Sequence, residues 1–237
     1  MTARDPYGAP HVVVVCGLAY EAKVAAGSGV VAICGGDQHR LAATLREATT
    51  PATRGIVSFG YAGGLAAEVS PGTCIVAKGV LSLGEGFVTD PIWSERMLAA
   101  LPGARHADLA GVERPIQLTS EKRSLHARTG AVAVDMESHI VGRMARERGL
   151  PFVALRVVLD PAERAVPKAA LAGHRADGST DARAVMAALR RRPRELPAVL
   201  RLAFDAWIAS RALLRCRRQL GDGFAFLDAG HHPLDVA

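Results

Sequence analysis

Long apolar runs are missing from this chain. Runs such as HVVVVCGL and PFVALRVVL fall far short of the roughly 20 residues that a membrane-spanning helix needs. The N-terminal stretch MTARDPYGAP also lacks the apolar segment of a signal peptide. We therefore expect a cytoplasmic protein.

Residue patterns that bind metals or phosphates are scarce as well. The four cysteines show no CxxC pairing, and the histidines share no ligand spacing, so we expect neither disulfides nor a metal site. The cysteines are interpreted as small core residues; they are Cys16, Cys34, Cys74 and Cys216. No glycine-rich stretch matches GxGxxG or GxxxxGK(S/T), so a dinucleotide or nucleoside triphosphate site is not supported.

The composition is that of one globular domain. With 237 residues, 49% of them hydrophobic, and 24 glycines, the chain can bury one sizeable core, and we expect a single α/β domain. GTCIVAKGVLSL and ERPIQLTS are predicted strands, PIWSERMLAAL is a predicted helix, and DPAERAVPKAALAGHRADGS is a predicted loop.

Positive charge is concentrated near the C-terminus. Ten arginines and two acidic residues lie between Arg183 and Arg218, a local charge of +8 against +6 for the whole chain. The last helical pattern, LPAVLRLAFDAWIASRALLRCRR, is amphipathic, with an apolar face of Leu196, Val199, Leu200, Ala203, Trp207 and Leu214 opposite Arg201, Asp205 and Arg215. Such a helix fits a membrane interface, but the same face would also suit packing on the sheet or a subunit contact. Residues 221–237 are expected to be poorly ordered.

The stretch from Ala131 to Asp160 organises the chain. AVAV and PFVALRVVL are predicted strands on either side of a helix, MESHIVGRMARER, which Gly149 ends. A parallel βαβ unit would bring Glu137 and Asp160 to the carboxyl ends of strands, facing one crevice. Simpler roles are also open, with Asp135 as an N-cap, Glu137 offsetting the helix dipole and Asp160 starting a turn.

A third strand end nearby is rich in glycine. The predicted strand IVSF leads into Gly60, Gly63 and Gly64, where missing side chains let backbone N–H groups approach a ligand, unless the turn serves packing alone. Upstream, the helical pattern LAYEAKVAA carries Glu21.

Four blocks now support a resemblance. GLAYEAKV, SFGYAGGLAAEVSPGTCIVA, VDMES and RVVLD, in this order, resemble the purine nucleoside phosphorylase and methylthioadenosine nucleosidase superfamily. The resemblance implies a three-layer α/β/α fold with a central mixed, mostly parallel sheet and a C-terminal amphipathic helix. It also implies a catalytic domain over residues 1–180, a helical extension of the same domain over 181–237, and a homo-oligomer.

The resemblance assigns roles to the acidic residues. Glu137 would bind the ribose hydroxyls, Met136 would pack on the sugar, and Asp160 would protonate the purine at N7. A purine protonated at N7 leaves as a neutral base, so Asp160 must be a proton donor near neutral pH. That requires a raised pKa.

The nucleophile is left open by the resemblance. In a hydrolase Glu21 would position water. In a phosphorylase an arginine and a serine hold phosphate, and Ser58 and Tyr61 stand at the corresponding positions here. The backbone at Gly17 and Gly60–Gly64, with Ser58 or Arg156, would then hold phosphate. Inorganic phosphate is then a co-substrate, and no other cofactor is implied. The segment TSEKRSLHARTG replaces the family's usual base-contact run, and Phe87 is either a stacking residue for the base or a core residue.

Within the superfamily, the chain most resembles the hopanoid-associated branch, which implies adenine release from adenosylhopane at the inner face of the cytoplasmic membrane. A soluble methylthioadenosine or adenosylhomocysteine nucleosidase and another purine nucleoside phosphorylase are the alternatives. A catalytically silent nucleoside-binding scaffold is a third. Nucleic-acid binding is not supported, because the arginines are not interleaved with aromatic residues on strands.

Overall fold

The computed structural model describes residues 8–35, 37–173, 175 and 177–226. The strands are β1 (His11–Cys16), β2 (Val30–Cys34), β3 (Thr53–Gly64), β4 (Cys74–Ser82), β5 (Glu85–Val88), β6 (Arg105–Gly111), β7 (Ala133–Asp135) and β8 (Phe152–Asp160). The α-helices are α1 (Ala19–Ala25), α2 (Gln38–Ala48), α3 (Pro91–Ala100), α4 (Thr119–Thr129), α5 (Ser138–Arg148), α6 (Lys168–Leu171), α7 (Ala182–Arg191) and α8 (Leu196–Leu220).

The strands form one mixed sheet with a helical layer on each face. The side chains of β1 alternate between two apolar cores, so the run VVVV is buried on both sides. Val13 and Val15 pack in the core shared with α2 and α5, whereas Val12 and Val14 pack in the core shared with α3 and α8. This confirms the predicted three-layer fold with its mixed sheet and C-terminal helix.

Part of the sheet closes into a ring. Strand β3 pairs with β8, β8 with β4, β4 with β6, β6 with β7, and β7 again with β3. Strands β1 and β2 extend the sheet beyond β3, and β5 extends it beyond β4. The ring brings the ends of strands that are distant in sequence to the same place.

The central stretch is not the parallel βαβ unit that its pattern predicts. Strand β8 runs parallel to β3, but β7 runs antiparallel to it, and the two strands lie on opposite sides of β3. Gly63 pairs with Val134 on one side and with Asp160 on the other. The two acidic segments therefore both flank the end of β3, although not by the predicted route.

Two other predicted elements are wrong. ERPIQLTS is not a strand, since β6 ends at Gly111 and the segment leads into α4. The Glu121 carboxylate starts this helix by accepting hydrogen bonds from the N–H groups of Gln117 and Leu118, and Gly130 ends it in the left-handed conformation. The predicted loop after β8 contains the short helix α6.

Helix α8 does not use its predicted apolar face for burial. Its buried residues are Asp205, Ala209, Ala212, Leu213, Cys216 and Leu220, which lie towards β8 and the core. Asp205 can be buried because its carboxylate pairs with Arg164, 2.8 Å away. Four large apolar residues in the first half of α8 are left exposed, namely Leu196, Leu200, Phe204 and Trp207. The division at residue 180 stays a prediction.

Residues 221–226, which the sequence predicts to be poorly ordered, pack against the core. Phe224 is fully buried, its carbonyl accepts a 2.8 Å hydrogen bond from Trp93 Nε1, and its ring meets Phe59 edge-on at 5.1 Å. The remainder, 227–237, lies outside the described residues. None of the helices described is long and apolar enough to cross a membrane.

A glycine in α5 gives a test of packing between that helix and β5. A Cβ atom at Gly142 would lie 2.6 Å from Phe87 Cγ, so Gly142→Ala should lower the free energy of unfolding by about 1–3 kcal/mol despite the better helix propensity of alanine. Urea denaturation measures this change. Gly86→Ala is the matched control, because its Cβ would meet only Leu81 Cδ2 at 3.7 Å. Equal stability of the two variants would contradict the packing described.

Candidate active site

Arg156, in the middle of β8, lies at the centre of a buried polar cluster. Its side chain is fully buried, with Nε 2.9 Å from Asp135 Oδ2 and Nη2 3.2 Å from Glu137 Oε2. Nη2 also donates a 2.5 Å hydrogen bond to Ser58 Oγ, on the neighbouring strand β3. One guanidinium thus joins β3, β7 and β8 to the start of α5.

Asp135 serves both the helix and the arginine. Its Oδ1 accepts hydrogen bonds from the N–H groups of Glu137 (3.0 Å) and Ser138 (2.8 Å), the capping role that its position before α5 predicts. Its Oδ2 accepts from Ser138 Oγ at 2.5 Å as well as pairing with Arg156. Because α5 begins at Ser138, Glu137 stands just outside the helix.

Glu21 is held by backbone groups from two strand ends. The residue is 2% exposed. Its carboxylate accepts hydrogen bonds from the N–H groups of Gly17 (2.9 Å), Leu18 (2.8 Å) and Tyr61 (2.7 Å). These N–H groups include those that could have held a phosphate. A carboxylate of the chain itself occupies them.

Two glycines leave space for the carboxylates of Glu21 and Glu137. At Gly60, where φ is +149°, a Cβ atom would lie 2.5 Å from Glu21 Oε1. At Gly17 a Cβ atom would lie 2.8 Å from Glu137 Oε1. The glycine-rich strand end therefore allows close approach by acidic side chains, a use of the missing side chains that the pattern alone does not specify.

The cluster holds more carboxyl groups than cations. Glu21, Asp135 and Glu137 surround the single guanidinium of Arg156. Burial raises the pKa of Glu21, against the opposing effect of Arg156, and burial raises the pKa of Glu137 to about 7. Such surroundings favour a cation and disfavour a further anion.

Asp160, at the end of β8, has a partner that the sequence did not reveal. Lys122 of α4 is fully buried, and its Nζ donates to Asp160 Oδ2 (2.5 Å), to the Pro161 carbonyl (2.7 Å) and to the Arg164 carbonyl (3.0 Å). The pKa of Asp160 is raised, because burial outweighs the opposing effect of Lys122. The available signal was that Lys122 lies three residues before the buried Leu125, on the same face of a helix.

The other glycines of the β3 end lie beside Asp160. A Cβ atom at Gly63 would lie 3.4 Å from Asp160 Oδ2, and one at Gly64 would lie 3.2 Å from the Asp160 carbonyl.

Met136 is partly buried, and its carbonyl accepts a 3.2 Å hydrogen bond from Gln38 Nε2.

Three predicted binding side chains point elsewhere. The Tyr61 hydroxyl is hydrogen-bonded to Ser210 Oγ of α8 at 2.8 Å, so only the backbone of Tyr61 joins the cluster. Ser58 is fully buried beneath Arg156 and has no free surface for phosphate. Phe87 is a core residue, packed against Gly142 with the Arg146 guanidinium 4.8 Å from its ring centre, which corrects the stacking role.

Among the described residues, no group of three or more histidine, cysteine, aspartate or glutamate side chains could hold a metal ion. The Lys122–Asp160 pair and the Arg156 cluster are held by ion pairs and hydrogen bonds.

The sequence profile of the phosphorylase superfamily matches residues 5–192. The chain therefore belongs to this superfamily and is an enzyme of the nucleosidase or nucleoside phosphorylase type.

Solved structures share the fold at low sequence identity. The futalosine hydrolase of Helicobacter pylori has a TM-score of 0.63 at 12% identity, over 89% of this chain and 95% of that one. The 5′-methylthioadenosine/S-adenosylhomocysteine nucleosidase of S. pneumoniae has a TM-score of 0.61 at 12% identity, over 89% and 99%. The Neisseria meningitidis nucleosidase of the same name reaches 0.56 at 18% identity, over 65% and 87%. No curated protein sequence matches the chain significantly.

The ionisation of Glu137 links stability to pH. Its pKa of about 7 exceeds the ordinary value of 4.5, so between these pH values the folded state binds more protons and stability falls as pH rises. From pH 4.5 to 7.5 the free energy of unfolding of the parent should therefore fall. In Glu137→Gln the side chain cannot ionise, so over the same range the fall should be smaller by about 1–3 kcal/mol. Urea denaturation across this range measures the difference. Glu47→Gln, at an exposed site on α2, should follow the parent, and identical profiles for all three proteins would contradict a raised pKa at Glu137.

Proposed function

We propose that this enzyme hydrolyses the N-glycosidic bond of a purine nucleoside, with water as the nucleophile. The observation that carries the choice of water is the placement of Glu21. Its carboxylate occupies the N–H groups of Gly17, Leu18 and Tyr61, and Asp135 and Glu137 already pair with Arg156. A phosphate would meet an excess of negative charge instead of free donors.

The same charge suits the sugar during bond cleavage. As the bond from C1′ to the purine breaks, the ribose becomes oxocarbenium-like and positively charged. Glu137 accepts hydrogen bonds from the ribose hydroxyls in this proposal, and Met136 packs on the sugar. The carboxyl groups of the cluster stabilise the cation because they are held in position before the reaction begins.

In this proposal one proton transfer takes place at each end of the site. Asp160 gives a proton to purine N7, and Glu21 accepts a proton from the attacking water as it adds to C1′. Burial raises the pKa of both carboxyls, which keeps Asp160 available as an acid and makes Glu21 a stronger base.

Adenine release from methylthioadenosine, with and without phosphate and in H₂¹⁸O, tests the nucleophile. We expect release without phosphate and one ¹⁸O in the sugar product. Asp160→Asn and Glu21→Gln should each lower kcat by about 10²- to 10⁴-fold while retaining the fold. Release that requires phosphate would refute the assignment of water, and full activity in either variant would refute the role of that residue.

We further propose that the natural substrate is lipid-linked, namely adenosylhopane, and that α8 contacts the cytoplasmic face of the membrane. In support, Leu196, Leu200, Phe204 and Trp207 form a stripe along α8, each 46–61% exposed. The rings of Phe204 and Trp207 stack at 5.8 Å. Aromatic and aliphatic side chains on one exposed face suit insertion into a lipid interface.

Positive charge continues this stripe. The Arg211 guanidinium lies 5.1 Å from the Trp207 ring centre, and a depression of about 440 Å³ beside it is lined by Trp207, Arg211 and Arg215. Anionic lipid headgroups attract such arginines. The same stripe would also suit a subunit contact, in which a second copy of the chain in the predicted homo-oligomer covers it.

Point substitutions test membrane contact better than deletion, because α8 packs on β8 and its removal would expose the core. Phe204→Ser/Trp207→Ser should lose at least about tenfold in binding to anionic phospholipid vesicles, yet cleave methylthioadenosine at the parental rate. Val88→Ser, which removes an 83% exposed side chain from β5, is the control and should bind as the parent does.

Co-sedimentation with vesicles measures binding, and analytical ultracentrifugation without lipid measures mass. Unchanged sedimentation of the double variant would refute membrane contact, and a fall in mass would assign the stripe to a subunit interface. Adenine release from methylthioadenosine, but not from adenosylhopane in detergent micelles, would refute adenosylhopane as the substrate. It would leave the proposed cleavage of a purine nucleoside unaffected.

A further inference from the structure

We propose that Lys122 is a positioning residue for the acid that protonates the leaving purine. It fixes the Asp160 carboxyl in one orientation and stabilises the carboxylate that forms when Asp160 gives up its proton. The inference rests on the proposed function, which makes Asp160 the acid.

Lys122 is bound more completely than a packing role requires. Its side chain is fully buried, and its three N–H groups match three acceptors: Asp160 Oδ2, the Pro161 carbonyl and the Arg164 carbonyl. Burying an ammonium group is costly unless its partners are well placed. Here they are the Asp160 carboxyl and the carbonyls of Pro161 and Arg164, so α4 holds both the carboxyl and the chain beyond β8.

The Asp160 carboxyl is fixed at one oxygen, and part of the side chain stays exposed. Oδ2 is fixed by the ammonium at 2.5 Å, while the Asp160 side chain as a whole keeps 15% of its surface exposed. The orientation of the carboxyl is therefore set from inside the protein. The exposed part of the side chain is left for the base.

The proton transfer places new charge beside Lys122. The O–H bond of Asp160 breaks and the N7–H bond forms, while the electron pair of the bond from C1′ to N9 moves into the purine. Water adds to C1′ and its proton goes to Glu21. Lys122 keeps its three protons, and its ammonium is already in place when Asp160 becomes negative, a form of preorganised stabilisation.

Other charges act on Asp160 from the neighbouring elements. Asp205 of α8 raises the pKa of Asp160, and Asp205 is itself paired with the Arg164 guanidinium at 2.8 Å. Lys122 of α4 lowers the pKa of Asp160. Removing Lys122 should therefore raise that pKa and make Asp160 a weaker acid.

The experiment compares Lys122→Met with the parent over pH on two substrates. Methylthioadenosine needs protonation of its leaving group, whereas 4-nitrophenyl ribofuranoside releases nitrophenolate without it. On methylthioadenosine, we expect Lys122→Met to lower kcat about 10- to 100-fold and to move the high-pH limb of kcat/KM upward by about one unit or more. On the nitrophenyl riboside the loss should be severalfold smaller.

Arg123→Met is the matched control, since it removes an exposed positive charge from the adjacent position of α4 and should move neither quantity. If Lys122→Met does not fold, Lys122→Gln provides the same comparison with a polar side chain.

The outcomes separate this inference from the proposed function. Equal losses on both substrates, or an unmoved high-pH limb, would show that Lys122 is merely structural and overturn the inference. A parent enzyme that cleaves the nitrophenyl riboside but no purine nucleoside would overturn the proposed function, and the role of Lys122 with it.

Discussion

The buried guanidinium of Arg156 is the constraint on which the site depends. A charge with no exposed surface is tolerated only when carboxylates and hydroxyls surround it, and here Asp135, Glu137 and Ser58 do so. Because these groups come from β3, β7 and the start of α5, satisfying one side chain fixes the relative positions of three chain segments. The geometry of the proposed sugar site follows from the pairing of a single buried arginine.

The closed ring of strands makes this arrangement rigid. Strand β8, which carries both Arg156 and Asp160, lies between β3 and β4 and pairs with both. Asp160 lies four positions after Arg156, about 13 Å along an extended strand. One strand thus sets the spacing between the sugar end and the base end of the proposed site.

Strands and helix ends were predicted well where apolar content or a capping residue determines them locally. The valines of β1 and the capping residues Asp135 and Gly149 are examples, since apolar content and capping act within a few residues. Strand direction was less accessible: β7 has three residues, and its pairing with the end of β3 is decided by the closure of the sheet. Block resemblance selected Glu21, Glu137 and Asp160. The spacing between Lys122 and Leu125 could indicate only a buried position for Lys122, because the partners of Lys122 lie 38 to 42 residues away.

The backbone donors around Glu21 have a consequence for how such enzymes diverge. Glu21 acts as a tethered anion, attached three or four residues from two of its own donors, Leu18 and Gly17. A tethered ligand has a high effective concentration, so dissolved anions compete poorly with it. The choice between two co-reactants can thus depend on whether the chain supplies its own anion, with the surrounding scaffold unchanged.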